Sequence, residues 1–123
     1  MSKDRQRLFE YLEHILAAIG RIDRYVAGLN ETGFLENDLI QDAVIRNLEV
    51  IGEALHNIQT HSPSFVQEHP KLPWDQAYGM RNALSHGYFK IDLRLVWKTI
   101  ERDLPKLQQQ VRKIQKSPGS PQK

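Results

Sequence analysis

The sequence predicts an all-α protein, an antiparallel bundle of four to five helices. Apolar residues recur at spacings of three and four over three long stretches, while no window alternates strictly between apolar and polar and no Asn-Gly or Asp-Gly hairpin turn is present. The 123 residues suit a single domain, and 40% hydrophobic with 26% charged residues is the balance of a chain that folds.

In the first stretch Leu8, Leu12, Ile15, Ile19, Ile22 and Val26 draw one stripe, which predicts a helix from Lys3 to Ala27. Gly28 suits the left-handed residue that closes a helix, and Asn30-Glu31-Thr32-Gly33 reads as a turn. The second stripe is Ile40, Ala43, Val44, Leu48, Ile51, Leu55 and Ile58, with Asn37 or Asp38 as its cap and an end near Gln59. Ser62-Pro63 suggests one short turn, Ser64 to Glu68, stopped by His69-Pro70. Pro73 opens a helix carrying Trp74, Ala77, Met80, Ala83 and Leu84, and Gly87 closes it just after His86. Asp92 caps a last helix striped by Leu93, Val96, Trp97, Ile100, Leu104, Leu107, Val111 and Ile114, which Pro105 should kink or split. Residues 1–116 are thus expected to form the domain and residues 117–123 a disordered tail. Phe9, Tyr11, Leu16, Ile45 and Val50 lie off the main stripes, a surplus that fits a dimer face.

Composition excludes several kinds of chemistry. With no cysteine there are no disulfides, thiolate metal sites or cysteine nucleophiles. The amphipathic N-terminus reads neither as a signal peptide nor as a spanning helix, so a cytoplasmic protein without a membrane partner is expected. Seventeen Lys and Arg against fifteen Asp and Glu give a net charge of +2, too small to argue for a nucleic-acid partner. Histidines 14, 56, 61, 69 and 86 fall on separate segments without an H-E-x-x-H pattern, so no metal is expected, and neither glycine-rich phosphate loop is present. His14, His56, His61 and His69 read as surface or loop residues, Trp74, Trp97, Met80 and Phe89 as core. Arg46, Asn47 and Glu53 suit a buried polar network and a cleft equally.

Polar, chemically capable groups are concentrated at one helix end: Arg81, Asn82, Ser85, His86 and Tyr88, bracketed by Gly79 and Gly87. Arginine offers a planar fork of donors for phosphate oxygens, and histidine gives or takes a proton near neutrality. Asn82 and His86 are four residues apart and share a helix face, whereas Arg81 lies about 140° around the helix from His86. Two copies across a two-fold axis would supply both groups to one cleft, making the site composite and the dimer obligatory. The residue pattern alone favours a plainer reading, with Arg81 in a surface ion pair, His86 capping a helix end and Tyr88 anchoring a loop.

The wider run Pro73-Trp-Asp-Gln-Ala-Tyr-Gly-Met-Arg81-Asn-Ala-Leu-Ser-His86-Gly-Tyr88-Phe-Lys-Ile-Asp92 resembles the signature of HEPN-domain ribonuclease toxins of the HepT type. Asp42-Ala-Val-Ile-Arg46-Asn-Leu-Glu-Val-Ile-Gly52-Glu-Ala54 is similar to that family's second helix, and Val96-Trp97-Lys-Thr-Ile100 through Asp103-Leu-Pro105 to its last. The family's R-x4-H-x-Y motif is matched by Arg81, His86 and Tyr88, and Asn82 matches the polar residue that follows the arginine. The resemblance implies a HEPN-like helical dimer with metal-independent endoribonuclease activity at a composite RNA cleft. In it His86 would transfer protons, Arg81 would stabilise charge on the phosphate and Asn82 would bind or orient the phosphate. It also implies a partner, a minimal nucleotidyltransferase antitoxin of the MntA type that uses ATP to adenylylate the motif tyrosine, here Tyr88. The alternative is a non-catalytic helical module that binds a nucleotide or a nucleotidyltransferase through the same Arg and His.

Overall fold

The structure, a computed structural model, describes residues 3–86 and 91–116. Its elements are α1 (Lys3–Val26), α2 (Glu31–Leu35), α3 (Asp38–His61), α4 (Pro63–Glu68), α5 (Trp74–His86), α6 (Leu93–Lys98), a π-helical turn (Thr99–Asp103) and α7 (Leu104–Lys116). Among the described residues there is no strand. The all-α bundle expected from periodicity is therefore present, while the expected tail, residues 117–123, and Gly87, Tyr88 and Phe89 lie outside the described residues.

The helix ends follow the local chemistry of the chain. Gly28 takes φ +81°, a left-handed conformation costly for any residue with a Cβ, and the chain turns there after α1. Asn37 Oδ1 accepts from the Ile40 amide at 3.0 Å, and Asp92 Oδ1 accepts from the Arg94 and Leu95 amides, each at 3.1 Å. Both caps thus satisfy amides that have no partner within their helices.

The segment after Gly28 differs from the expected turn. Asn30 is extended and its Oδ1 accepts from the Gly33 amide at 2.8 Å, so Asn30 caps a short helix and Gly33 falls in its first turn. Helix α2 exists because Phe34 is fully buried, its ring 5.3 Å from that of Trp97. Buried Gln41 of α3 completes it by donating Nε2 to the Phe34 and Leu35 carbonyls at 2.9 and 3.1 Å. Tertiary burial outweighs weak helical propensity here.

Pro105 acts through the π turn. It has no N–H to donate, and in a regular helix its ring would press on the carbonyl four residues back. In the wider turn before it, the Leu104 amide bonds to the Thr99 carbonyl, five residues back. The last helix is thereby divided into α6 and α7 while its stripe continues through Val96, Trp97, Ile100, Leu104, Leu107 and Val111, all buried.

Helices α1 and α3 form the central pair, with α5 packed on α3 and α7 on α1. Leu12, Ile15, Ile22, Phe34, Val44, Leu55 and Val111 have no exposed surface. Burial of each such side chain contributes about 1.5–3 kcal/mol. Trp74 and Trp97 are buried as expected, and Met80 packs half-buried against the core. Tyr11, Leu16, Ile45 and Val50, candidates for a dimer face, are likewise only partly buried.

Gly52 decides how closely α3 and α5 approach. A Cβ at this position would lie 2.5 Å from Arg81 Cβ and 2.9 Å from the Ala77 carbonyl oxygen, so only glycine permits the observed packing. The His56 and Tyr78 rings stack at 4.0 Å across the same pair of helices, so His56 is a packing residue and not a surface one.

Gly52→Ala is expected to destabilise the fold by about 1–3 kcal/mol through overpacking. Gly20→Ala, inside α1 where an added Cβ meets nothing within 4 Å, is expected to stabilise it by roughly 0.4–1 kcal/mol. Urea unfolding of both variants checks the pair, because only the contact at position 52 predicts opposite signs.

Candidate active site

Along α3, Arg46, Glu49, Val50, Glu53 and Asn57 recur at the spacings of one helix face. Tyr11 and His14 of α1 and Arg81 and Ser85 of α5 face the same space, which is an open cleft of about 390 Å³. Arg81 and Ser85 are four residues apart and therefore present one side of α5.

Arg81 is held at both tips of its guanidinium. Its Nη2 lies 3.0 Å from Glu53 Oε2, and its Nη1 donates to Asn82 Oδ1 at 2.8 Å. The guanidinium carries five N–H donors, so these two contacts leave three for a ligand. The Arg81 side chain is 29% exposed and that of Glu53 46%, so their ion pair is solvent-screened and sets orientation more than stability. Ser85 Oγ donates to Glu49 Oε2 at 2.5 Å, which ties α5 to α3 one turn further along.

The three ambiguous residues of α3 separate into different roles. Asn47 is buried away from the cleft, accepting from Arg21 Nε at 2.7 Å and donating to the Ala43 carbonyl at 2.9 Å, so it joins α1 to α3. Glu53 holds Arg81, and exposed Arg46 adds a second cation to the cleft wall. Two arginines and two glutamates thus line the open cleft, and the Arg81 donors that Glu53 and Asn82 leave unused suit phosphate oxygens.

Of the residues singled out from sequence, Arg81 and Asn82 are brought together directly. His86 is the last residue of α5, is exposed, and does not line this cleft. Arg81 and His86 therefore leave α5 in different directions, as their spacing requires. Tyr88 lies outside the described residues. Sequence reasoning missed Tyr11, His14, Glu49 and Asn57 as cleft residues. The available signal was the polar line Arg46, Glu49, Glu53 and Asn57 on a helix otherwise rich in apolar residues.

Among the described residues no group of three or more His, Asp or Glu side chains stands where it could hold a metal ion. No described helix is long and apolar enough to cross a membrane.

Residues 15–114 match the family model described as Ribonuclease HepT-like. A protein of Thermococcus cleftensis named "Probable ribonuclease HepT" is 40% identical over 107 residues, covering 87% of this chain and 94% of its own. "Putative RNase TTE0752" of Caldanaerobacter subterraneus subsp. tengcongensis is 38% identical over 104 residues, 85% of this chain and 90% of its own. The longer "Gamma-glutamylcyclotransferase and putative RNase MJ0434" of Methanocaldococcus jannaschii is also 38% identical over 104 residues, but these make up only 46% of its length. No solved structure matches the chain. With the family model covering residues 15–114, most of the chain, the protein belongs to the HepT-like ribonuclease family.

Proposed function

We propose that this protein is a metal-independent endoribonuclease toxin that cleaves RNA as a homodimer at a composite cleft and is switched off by adenylylation of Tyr88. The observation that carries the reading is the seating of Arg81, fixed by Glu53 and Asn82 in an open polar cleft with three donors left over. Such a preorganised fork stabilises charge on a phosphorane-like transition state without having to reorganise as the charge develops. The separate directions of Arg81 and His86 favour a dimer, since a second copy would bring its own His86 to the cleft wall that this copy's Arg81 lines.

In the proposed reaction His86 removes the proton from a ribose 2′-OH, and the freed oxygen attacks the adjacent phosphorus. The P–O5′ bond breaks, and the leaving oxygen takes a proton from solvent in the open cleft. The products are a 2′,3′-cyclic phosphate and a 5′-hydroxyl end. Arg81 neutralises the charge on the non-bridging oxygens, and the Asn82 amide, whose Oδ1 already accepts from Arg81, offers its Nδ2 to the same phosphate. No resident cofactor takes part.

The proposed partner is a minimal nucleotidyltransferase antitoxin of the MntA type. The Tyr88 oxygen attacks the α-phosphorus of ATP, pyrophosphate leaves, and the tyrosine carries AMP through a phosphodiester. The adduct adds negative charge and bulk two residues from His86, and so repels and obstructs RNA.

Removal of Arg81 or His86 is expected to reduce cleavage of single-stranded RNA in EDTA by at least about a hundredfold. Wild-type activity in both variants, measured on labelled oligonucleotides, would refute the site. Glu53→Ala should lower kcat by about 10- to 100-fold through loss of orientation at Arg81, with the thermal midpoint nearly unchanged. A faster enzyme would instead mark Glu53 as a competitor of the phosphate. After incubation with the antitoxin and ATP, intact-mass measurement should find AMP on the wild type and none on Tyr88→Phe.

A further inference from the structure

The cleft extends beyond the phosphate-handling groups along the α3 face from Glu53 to Asn57, and His61 stands one turn further along α3. The Tyr11 ring lines it from α1. Tyr11 and His61 are nearly parallel, 16° between planes, with centroids 6.5 Å apart, and His14 stands edge-on to Tyr11 at 72° and 6.3 Å. A second tyrosine–histidine stack among the described residues, His56 on Tyr78, has a similar interplanar angle of 10° but is closed to 4.0 Å. That closed pair lies between α3 and α5, where packing brings the rings together. The Tyr11–His61 pair joins α1 to the last residue of α3, with His61 exposed and the ring centroids farther apart.

We infer that Tyr11 and His61 form a base-stacking subsite that takes one unpaired nucleobase of the RNA strand whose phosphate lies at Arg81. The inference rests on the ribonuclease reading and names a part of the substrate that the cleavage groups do not touch. Bases of any identity stack on aromatic faces, so the cleft-lining Tyr11 ring, with the exposed His61 ring nearly parallel to it, offers a flat platform for one base. Tyr11 is partly packed against the core, which fixes its ring before RNA arrives, so little side-chain freedom is lost on stacking. The Asn57 amide, lining the cleft one turn before His61, has both a donor and an acceptor for a base edge. Single-stranded RNA is recognised through splayed bases on flat side chains, and a neighbouring Arg-bound phosphate sets the register.

The test uses full-length His86→Ala protein, which binds without cutting, and a single-stranded RNA carrying 2-aminopurine at successive positions. One position should be quenched on binding. Tyr11→Ala in the same background should abolish that quenching and raise Kd about 5- to 100-fold, the range expected for one lost stacking contact. Tyr11→Phe should retain both, and His61→Ala, at an exposed position where folding is not at issue, should weaken both. An abasic nucleotide at the quenched position should make the protein indifferent to Tyr11→Ala. Uniform fluorescence at every position, or unchanged Kd in Tyr11→Ala and His61→Ala, overturns the subsite. Cleavage by the wild type is scored separately: a quenched, Tyr11-dependent base with no cleavage would leave the subsite standing and remove the ribonuclease reading.

Discussion

The close contact of α3 and α5 at Gly52 is the constraint on which the site depends. Because residue 52 has no side chain, the Arg81 Cβ and the Ala77 carbonyl pass directly over the α3 backbone. The guanidinium then reaches the carboxylate of the very next residue, Glu53. A longer approach distance would carry Arg81 away from Glu53 and separate Ser85 from Glu49, the second polar link across the same two helices. One glycine thus supports both the packing and the electrostatics of the cleft.

The hydrophobic stripes account for the part of the fold that was legible in the sequence. Leu8 to Ile22 and Val44 to Ile58 are buried where the periodicity put them, and Asn37, Asp92 and Gly28 act at helix ends through local hydrogen bonding and backbone freedom. Features set by tertiary contact were not legible. Asn30 to Gly33 has turn-forming residues, and it becomes helical only because Phe34 enters the core and Gln41 satisfies the exposed carbonyls. The effect of Pro105 was foreseen as a disruption, but its form as a π turn depends on packing either side of it.

The site was legible in a similarly divided way. Arg81 and Asn82 stood out by chemistry and are in contact. Glu53 stood open between a buried network and a cleft, and nothing local marked Gly52, because their meaning appears only when α5 is laid across them. Tyr11 and His14 are about seventy residues from Arg81 in sequence, so no local pattern joined them to the cleft that they line. Asn47 and Arg46 are adjacent, yet the 100° step of the helix sends one into a buried hydrogen bond with Arg21 and the other to the open wall. Sequence carried the chemistry of the arginine and its neighbour, and helix packing supplied their surroundings.

In the proposed mechanism catalysis is a property of two copies, because Arg81 and His86 diverge from one short helix. Subunit mixing tests this most directly: Arg81→Ala and His86→Ala proteins are combined, heterodimer formation is verified by native mass spectrometry, and RNA cleavage is measured in EDTA. Each variant retains the group that the other lacks, so cleavage should appear in proportion to the heterodimer although both homodimers are inactive. A mixture that contains heterodimers and remains inactive would contradict the shared cleft.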